Sequence, residues 1–244
     1  MIVVRNLEKQ YGEVHAVRGL SFTVPPGQIL GLIGPNGAGK TTTMRIIAGI
    51  IPPTSGTVSV AGRDIRRQPL EAKAALAYVP DDPALFGALT VYEHLVLAAR
   101  AYGVKDYAQR AEQLLERFHL ADLRDKLAEA LSRGARQKVA ICTAYIHDAP
   151  AVLFDEPLTG LDPHAIRTMK ESIREQAALG KAFIVSSHLL SLIEDLCTHL
   201  LVVHKGQALF AGTVAEGRAL ACGSTAAASL EETFFRIIRD SVAS

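Results

Sequence analysis

A glycine-rich segment near the amino terminus carries the residues most able to do chemistry. It matches the pattern G-x-x-x-x-G-K-[ST] in full and continues with a second threonine: Gly34, Pro35, Asn36, Gly37, Ala38, Gly39, Lys40, Thr41 and Thr42. Glycines let the backbone curl so that successive N–H groups face phosphate oxygens, and the following helix adds its positive end. Lys40 supplies a charge for the β- and γ-phosphates of a nucleotide, and Thr41 supplies a hydroxyl for Mg²⁺. A chance glycine loop is the alternative, but the position between an apolar strand and a helix favours phosphate binding.

Two acidic residues follow a later apolar stretch. Residues 151–154 are apolar and lead directly into Asp155 and Glu156. An apolar strand that ends in two acids can hold Asp155 toward a metal ion and leave Glu156 to polarise an attacking water. Two acids after a buried strand are also an ordinary loop start. The phosphate-binding pattern earlier in the chain favours the catalytic interpretation.

The elements that must position these residues follow from periodicity and turn signals. Strands are predicted at residues 2–7, 14–24, 28–33, 56–62, 152–154, 183–185 and 200–203. Apolar residues at helical spacing predict helical structure at residues 41–50, 90–120 and 163–178. Thr90 and Glu93 have the spacing of a capping box. Short apolar strands that alternate with amphipathic helices indicate an α/β fold with a parallel sheet covered on both faces, and residues 84–130 form an inserted helical lobe.

The composition bounds the classes of function. The chain has 244 residues, of which 49% are hydrophobic, and 26 basic and 25 acidic residues give a net charge of +1. This balance provides no global attraction to nucleic acid or to a membrane surface. No apolar run approaches the roughly 20 residues that cross a bilayer, and the start lacks the pattern of a signal peptide. Three scattered cysteines match no metal spacing and favour a reducing cytoplasm.

A third motif identifies a family. Residues 131–137, Leu-Ser-Arg-Gly-Ala-Arg-Gln, resemble the LSGGQ signature of ABC ATPases. Tyr11 stands where that family stacks an aromatic on adenine, and Tyr78 to Asp81 stand where it places its Q-loop. Asp162 resembles the D-loop aspartate, and His188 resembles the switch histidine. Together with the glycine-rich loop and the acidic pair, these motifs stand in the family's order and cover nearly the whole chain. The chain is therefore identified as a member of the ABC ATPases and most resembles the ATP-binding subunit of a transporter.

The resemblance implies a fold, an activity and two cofactors. The fold is a P-loop NTPase core with a parallel sheet, an N-terminal antiparallel β subdomain and an inserted α-helical subdomain. One domain covers 1–244, with the β and RecA-like core at 1–83 and 131–244 and the helical lobe at 84–130. The activity is hydrolysis of ATP with Mg²⁺. Its implied residues are the catalytic pair Glu156 and His188 and the metal ligands Thr41, Asp155 and Asp81.

The resemblance also implies that the signature acts across a dimer. Ser132, Arg133, Gly134 and Ala135 would contact the γ-phosphate of ATP held by a second ATPase subunit, in a homodimer or a heterodimer. Ser132 also has a purely structural interpretation, because a serine at this position caps the helix that follows. Two departures from the family pattern stand out. Asp81 replaces the usual glutamine, and Arg133 and Ala135 replace residues of LSGGQ.

Single residues in these motifs have other interpretations. Tyr11, taken alone, is more often a packing residue than an adenine platform. The run Ser186, Ser187 and His188 suggests a nucleophile and its base, but adjacent residues on a strand cannot face each other. Phe86 and Leu85 either form part of the lobe's core or help to bind a partner.

The expected function is that of an energy-coupling subunit. Because no membrane span is evident, we expect a separate integral-membrane permease as the partner, a cytoplasmic location on the inner face of the cell membrane, and no binding of nucleic acid. The pattern LSRGARQK, Asp81 and the segment 229–235 resemble the exporter group that serves drugs, polysaccharides or peptides. The alternatives are a soluble ABC ATPase that acts on nucleic acid, ribosomes or cofactor assembly, and a sensor that binds ATP without turnover.

Overall fold

The computed structural model describes residues 1–188 and 190–222, so the segment 229–235 lies outside the described residues. Within that part the strands are β1 (Ile2–Tyr11), β2 (Val14–Val24), β3 (Ile29–Ile33), β4 (Ser55–Val60), β5 (Arg63–Asp64), β6 (Leu76–Val79), β7 (Ala151–Asp155), β8 (Ala182–Ser187), β9 (His199–His204) and β10 (Gln207–Thr213). The helices are α1 (Lys40–Ile47), α2 (Pro69–Ala74), α3 (Val91–Ala101), α4 (Tyr107–Arg117), α5 (Arg133–Ile146), α6 (Pro163–Ala178), α7 (Leu190–Ile193) and α8 (Val214–Cys222). Short 3₁₀ turns lie at Ala121–Leu123 and Ala128–Ala130.

The larger sheet has six strands in the order β10-β9-β3-β8-β7-β6. Its strands are parallel except for β10, which pairs antiparallel with β9 at one edge. Every residue of β3 and β7 is buried. Neighbouring residues enter different cores because side chains alternate along a strand. Leu30 and Leu32 pack on one face of the sheet, and Ile29 and Ile33 pack on the other. The predicted parallel sheet is confirmed.

The smaller sheet is antiparallel and covers one face of the larger one together with α1. Its order is β2-β1-β4-β5. Ile2, Val4 and Leu7 of β1 share a core with Met44 of α1 and Leu32 of β3. The predicted strand 14–24 agrees with the structure at both ends. β1 extends four residues beyond its predicted end at residue 7, because its partners β2 and β4 continue the ladder.

Helices α3, α4, α5 and α6 cover the other face of the larger sheet. The predicted capping box is present at the start of α3: Glu93 N–H donates to Thr90 Oγ1 at 3.2 Å, and Thr90 N–H donates to Glu93 Oε2 at 2.8 Å. α5 packs against both α3 and α4, so the helical layer continues past residue 130. Among the described residues, no helix has the length and apolar character needed to span a membrane.

Six elements of the structure were not predicted, and two of them, β5 and α7, have only two and four residues. β6 has four residues, which is too short for a periodic pattern. α2 has six residues and begins with Pro69 in its first turn, so proline at this place starts a helix instead of breaking one. β10 and α8 follow the last predicted strand.

Candidate nucleotide site

The carboxyl ends of four parallel strands bring the predicted site residues to one edge of the larger sheet. The glycine-rich loop leaves β3, Asp155 ends β7, and Ser187 ends β8 beside His188. The chain leaves β6 toward Asp81. In open α/β sheets, ligands bind outside the carboxyl ends of the strands. The fold therefore places residues far apart in sequence around one cleft.

The curve of the loop depends on glycine at two positions. Gly39 has φ +101°, a region that side chains rarely adopt. A Cβ there would collide with the carbonyl oxygen of Ala16, and a Cβ at Gly34 would collide with that of Val203. The β9–β10 turn closes on the same loop, because Gly206 N–H donates to the carbonyl of Ala38 at 3.0 Å. Close backbone packing therefore fixes the shape of the loop.

The loop ends in a helix start that suits an anion. α1 begins at Lys40, and Gly39 before it has no side chain with which to cap the first N–H groups. Lys40 is 6% exposed; its ammonium group donates to the Gly34 carbonyl at 2.6 Å and lies 3.5 Å from Glu156 Oε1. A cavity of about 240 Å³ opens here, lined by Ala16, Pro35, Asn36, Gly37, Ala38, Gly39, Lys40, Thr41, Thr42, Asp81 and Glu156. Free N–H groups and a lysine donate hydrogen bonds to phosphate oxygens, and the positive end of the helix dipole attracts their negative charge.

Asp155 is held by hydroxyl groups from two other strands. The residue is 1% exposed, and its carboxylate accepts from Ser186 Oγ at 2.6 Å and from Tyr78 Oη at 3.3 Å. Burial, together with the Asp155 charge, raises the pKa of Tyr78 to about 12. Tyr78 therefore stays protonated at neutral pH and keeps donating. Both carboxylate oxygens of Asp155 are thus stabilised in the interior.

Glu156 has an unusual backbone conformation. Its φ of +50° lies in the left-handed region, which costs a residue other than glycine on the order of 1–3 kcal/mol. Its N–H donates to Ser186 Oγ at 2.9 Å. Its Oε2 lies 2.9 Å from His188 Nδ1, and its Oε1 faces Lys40. The turn therefore aims the carboxylate at the cavity, between His188, the predicted switch histidine, and Lys40, the predicted phosphate-binding lysine.

The start of α5, which carries the signature residues, packs against the predicted D-loop. Ser132 caps the helix by accepting from Ala135 N–H at 3.2 Å, as its alternative role predicts. A Cβ at Gly134 would lie 3.1 Å from the carbonyl oxygen of Gly160. Asp162 caps α6 by accepting a backbone N–H, which lowers the pKa of its carboxyl group. Ser132 and Arg133 are both exposed, so this helix start faces solvent.

The two departures from the family pattern meet in this structure. Arg133 Nη2 lies 3.1 Å from Asp81 Oδ1, and each side chain is half exposed. Asp81 also lines the cavity. A surface ion pair therefore joins the signature end of α5 to the Q-loop position within one chain.

The family is decided by comparison with known proteins. The model of the ABC transporter family matches residues 17–159, more than half of the chain. The chain belongs to this family. ABC ATPases of this kind bind and hydrolyse ATP, so this ABC subunit is an ATPase.

Individual relatives of the ABC subunit agree with this assignment. It is 35% identical to the ABC transporter ATP-binding protein NatA of Bacillus subtilis (strain 168) over 86% of this chain and 87% of the relative. It is 37% identical to the Nod factor export ATP-binding protein I of Burkholderia orbicola (strain AU 1054) over 85% of this chain and 69% of the relative. A solved ATP-binding subunit of an ABC transporter is 34% identical, with a TM-score of 0.92, over 98% of this chain and 99% of that one.

Tyr11 of the ABC subunit lies at the end of β1, outside the cavity lining. Its side chain is 49% exposed, which disfavours the packing alternative. Lys9 Nζ lies over the ring, 4.8 Å from its centre. An exposed aromatic face suits stacking on a base, so the adenine role stays a prediction.

The oxygen groups of the ABC subunit fit a shared Mg²⁺ ion. Among the described residues, no group of three or more His, Cys, Asp or Glu side chains is placed to hold a metal ion. Mg²⁺ in ATPases is held by one or two protein oxygens together with substrate phosphates, instead of an all-protein cage. Thr41 and Asp81 line the cavity, and Asp155 is buried. So small a number of protein oxygens leaves coordination positions on Mg²⁺ for the phosphate oxygens of ATP.

Two residues of the ABC subunit's site were missed by sequence reasoning. Ser186 bonds to both acids, although its motif was considered only as a nucleophile beside a base. Tyr78 donates to Asp155, although it was considered only as part of the Q-loop. The available signal for Ser186 was its place directly after the predicted strand 183–185. No such signal existed for Tyr78, because β6 was not predicted.

Proposed function

We propose that this ABC subunit powers an exporter by ATP-driven dimerisation, bound to a separate integral-membrane permease on the cytoplasmic face of the cell membrane. Its similarity to a Nod factor export protein supports the direction of transport. The single observation that supports a membrane partner best is an exposed apolar groove beside the Q-loop.

The groove has a volume of about 420 Å³ and lies beside β6, the segment that follows it, and the helices α3 and α5. Its lining is largely apolar: Ile50, Ala77, Tyr78, Pro80, Pro83, Ala84, Leu85, Phe86, His94, Leu97, Ala98, Tyr102, Ala140, Thr143, Ala144 and His147. Phe86 is 63% exposed, so it is not a core residue; Leu85 is half-buried and packs on the core. Ile50, Leu97 and Tyr102 are also exposed. Clustered exposed apolar side chains mark an interaction surface.

The groove is linked to the nucleotide site by a short segment. Pro80 and Pro83 line the groove, and Asp81 between them lines the cavity. A change in the position of Asp81 therefore shifts the wall of the groove. Within the proposed division, the lobe at 84–130 carries Phe86 and moves relative to the core at 1–83 and 131–244. This motion couples nucleotide state to a permease helix in the groove.

The chemistry proposed for the site uses residues that surround the cavity. The loop N–H groups and Lys40 bind the phosphates, and Glu156 holds the attacking water in line, with His188 to orient it. Mg²⁺, held by Thr41, Asp155 and Asp81, supplies charge that neutralises the phosphate oxygens when it is bound. The solvent-facing signature, Ser132 to Ala135, completes the site of a second subunit.

The membrane partner is tested by Phe86→Asp. A charge in the groove should reduce co-purification with membranes that contain the permease by roughly tenfold or more, because burying it without a partner is costly. ATP binding and basal ATPase should stay within about twofold, since Phe86 lies outside the cavity. Leu179→Asp is the matched control, because Leu179 is 77% exposed and lies outside the groove.

Three outcomes separate the alternatives. Loss of membrane binding in Phe86→Asp alone supports the permease. Full membrane binding and coupling in that variant would show that the partner docks elsewhere. Co-purification of the wild-type chain with nucleic acid or ribosomes, and not with membranes, would favour the soluble ABC ATPase instead.

A further inference from the structure

Ser186 connects the two acids of the site through one hydroxyl group. It is the penultimate residue of β8 and pairs with Asp155 in the register of β7 and β8. Its Oγ donates to Asp155 Oδ1 at 2.6 Å and accepts from Glu156 N–H at 2.9 Å. A hydroxyl has one proton and two lone pairs, so it can make both bonds at once. Ser186 is fully buried, so water does not substitute for either bond.

The backbone conformation of Glu156 depends on this hydrogen bond to Ser186, because the conformation is strained. Its left-handed φ of +50° is a conformation that persists only where the surroundings fix it. The bond to Ser186 Oγ holds the peptide of Glu156 in that turn. If the peptide relaxed to the extended conformation, the carboxylate would leave its places beside His188 and Lys40. The hydroxyl therefore controls where the Glu156 carboxylate points.

We propose that Ser186 is a positioning residue for ATP hydrolysis, which acts by holding the left-handed turn of Glu156 and the carboxylate of Asp155. This inference rests on the proposed role of Glu156. A change confined to Ser186 should lower kcat and leave ATP binding intact, because the loop and Lys40 that bind phosphate are held by other contacts. A residue that only stabilised the fold would lower the amount of folded protein instead.

The decisive comparison is Ser186→Val against Ser186→Thr. Both side chains add the same bulk, and only threonine retains a hydroxyl. Ser186→Val should lower kcat roughly tenfold or more, because misplacing a reacting group by about 1 Å costs up to about 10²-fold. KM for ATP should change less than about twofold. Ser186→Thr should recover most of kcat. Ser186→Ala removes the hydroxyl without adding bulk and serves if the larger side chains disturb folding.

A second measurement does not depend on turnover. Hydrogen exchange of the Glu156 amide, followed by NMR, reports its bond to Ser186 directly. Exchange should be faster in Ser186→Val and Ser186→Ala, and near wild type in Ser186→Thr. Ser172→Ala is the matched control, because Ser172 is a buried serine on α6 whose hydroxyl bonds to Met169 and Tyr145. It should change neither the Glu156 exchange rate nor kcat.

The outcomes distinguish this inference from the proposed function. If Glu156→Gln is inactive and both Ser186→Val and Ser186→Ala turn over at the wild-type rate, the positioning role is wrong and the proposed function stands. If the threonine variant is as slow as the valine variant although both are folded, bulk and not the hydroxyl is responsible, and the inference fails. If Glu156→Gln itself retains normal turnover, the proposed role of Glu156 fails first.

Discussion

The acidic half and the signature half of the site are built in different ways. At the ends of β7 and β8, Asp155 is buried and Glu156 is only 13% exposed at its side chain, and both are bonded to neighbours on the sheet. At the start of α5, Arg133 is half exposed and is joined to the rest of the site by one ion pair with Asp81. The first half is fixed by the sheet. The second is held by contacts that water or a partner can replace.

The energies differ accordingly. Leaving a buried polar group without its partner costs about 1–3 kcal/mol. An exposed ion pair is worth only about 0–1 kcal/mol, and salt screens it. We therefore expect the hydrolytic groups to be preformed in one subunit, whereas the signature is free to adjust to a second subunit. Three experiments test this difference.

The largest effect is expected for Glu156→Gln. The amide keeps the size of the side chain but cannot accept a proton, so kcat should fall by about 10²-fold or more. ATP affinity should change little, and the ATP-bound dimer should accumulate in size-exclusion chromatography. Glu171→Gln, an exposed change on α6, is the control. Near-normal turnover in Glu156→Gln would show that the preformed half does not contain the base.

A similarly large loss of ATPase activity is expected from Ser132→Arg, but this loss should be partly reversed by mixing with a second variant. Bulk and charge at the helix start should block docking of a second subunit, so dimerisation and hydrolysis are lost and ATP binding by the monomer remains. If the ATPase pairs with a second copy of itself, mixing this variant with Lys40→Ala restores one composite site in each dimer that contains one subunit of each variant. Up to roughly a quarter of wild-type ATPase should return, from the statistics of symmetric pairing. A mixture of folded variants that stays inactive would disprove the shared site.

The smallest effect is expected from the Arg133–Asp81 pair. A double-mutant cycle with Arg133→Ala and Asp81→Asn, measured by urea unfolding, should give a coupling of about 0.2–1 kcal/mol that falls at high salt. The exposed Arg167–Glu171 pair of α6 is a matched reference. A coupling well above this range, insensitive to salt, would mean that the signature half is as rigid as the acidic half.

Features that depend on residues close together in the sequence could be predicted from the sequence. The phosphate loop is specified by glycines within eight residues, and the structure shows that Gly34 and Gly39 have no room for a side chain. The capping box at Thr90 and the cap at Ser132 each involve residues three apart, and both were predicted. The role of Glu156 was predicted from two acids after an apolar strand, and that of His188 from family resemblance. Both stay predictions, and the two side chains are in contact in the structure.

The parts that were missed depend on contacts between distant segments. Ser186 meets Glu156 across 30 residues, and Tyr78 meets Asp155 across 77. Arg133 meets Asp81 across 52 residues. A single sequence gives the strand ends but not which side chains point at each other there. The left-handed turn of Glu156 was equally invisible, since glutamate carries no preference for it.

Because β3 lies in the middle of the sheet, its pairing must wait until much later segments of the chain have been synthesised. Its two partners, β8 and β9, belong to the last third of the chain, and Ile29 N–H is accepted by Thr198 Oγ1, 169 residues further on. A growing chain therefore carries an entirely apolar strand for most of its synthesis before either neighbour exists. Such distant pairing slows folding and leaves the strand open to aggregation. The glycine-rich loop gains one of its contacts equally late, because the β9–β10 turn that bonds to Ala38 is also synthesised near the end.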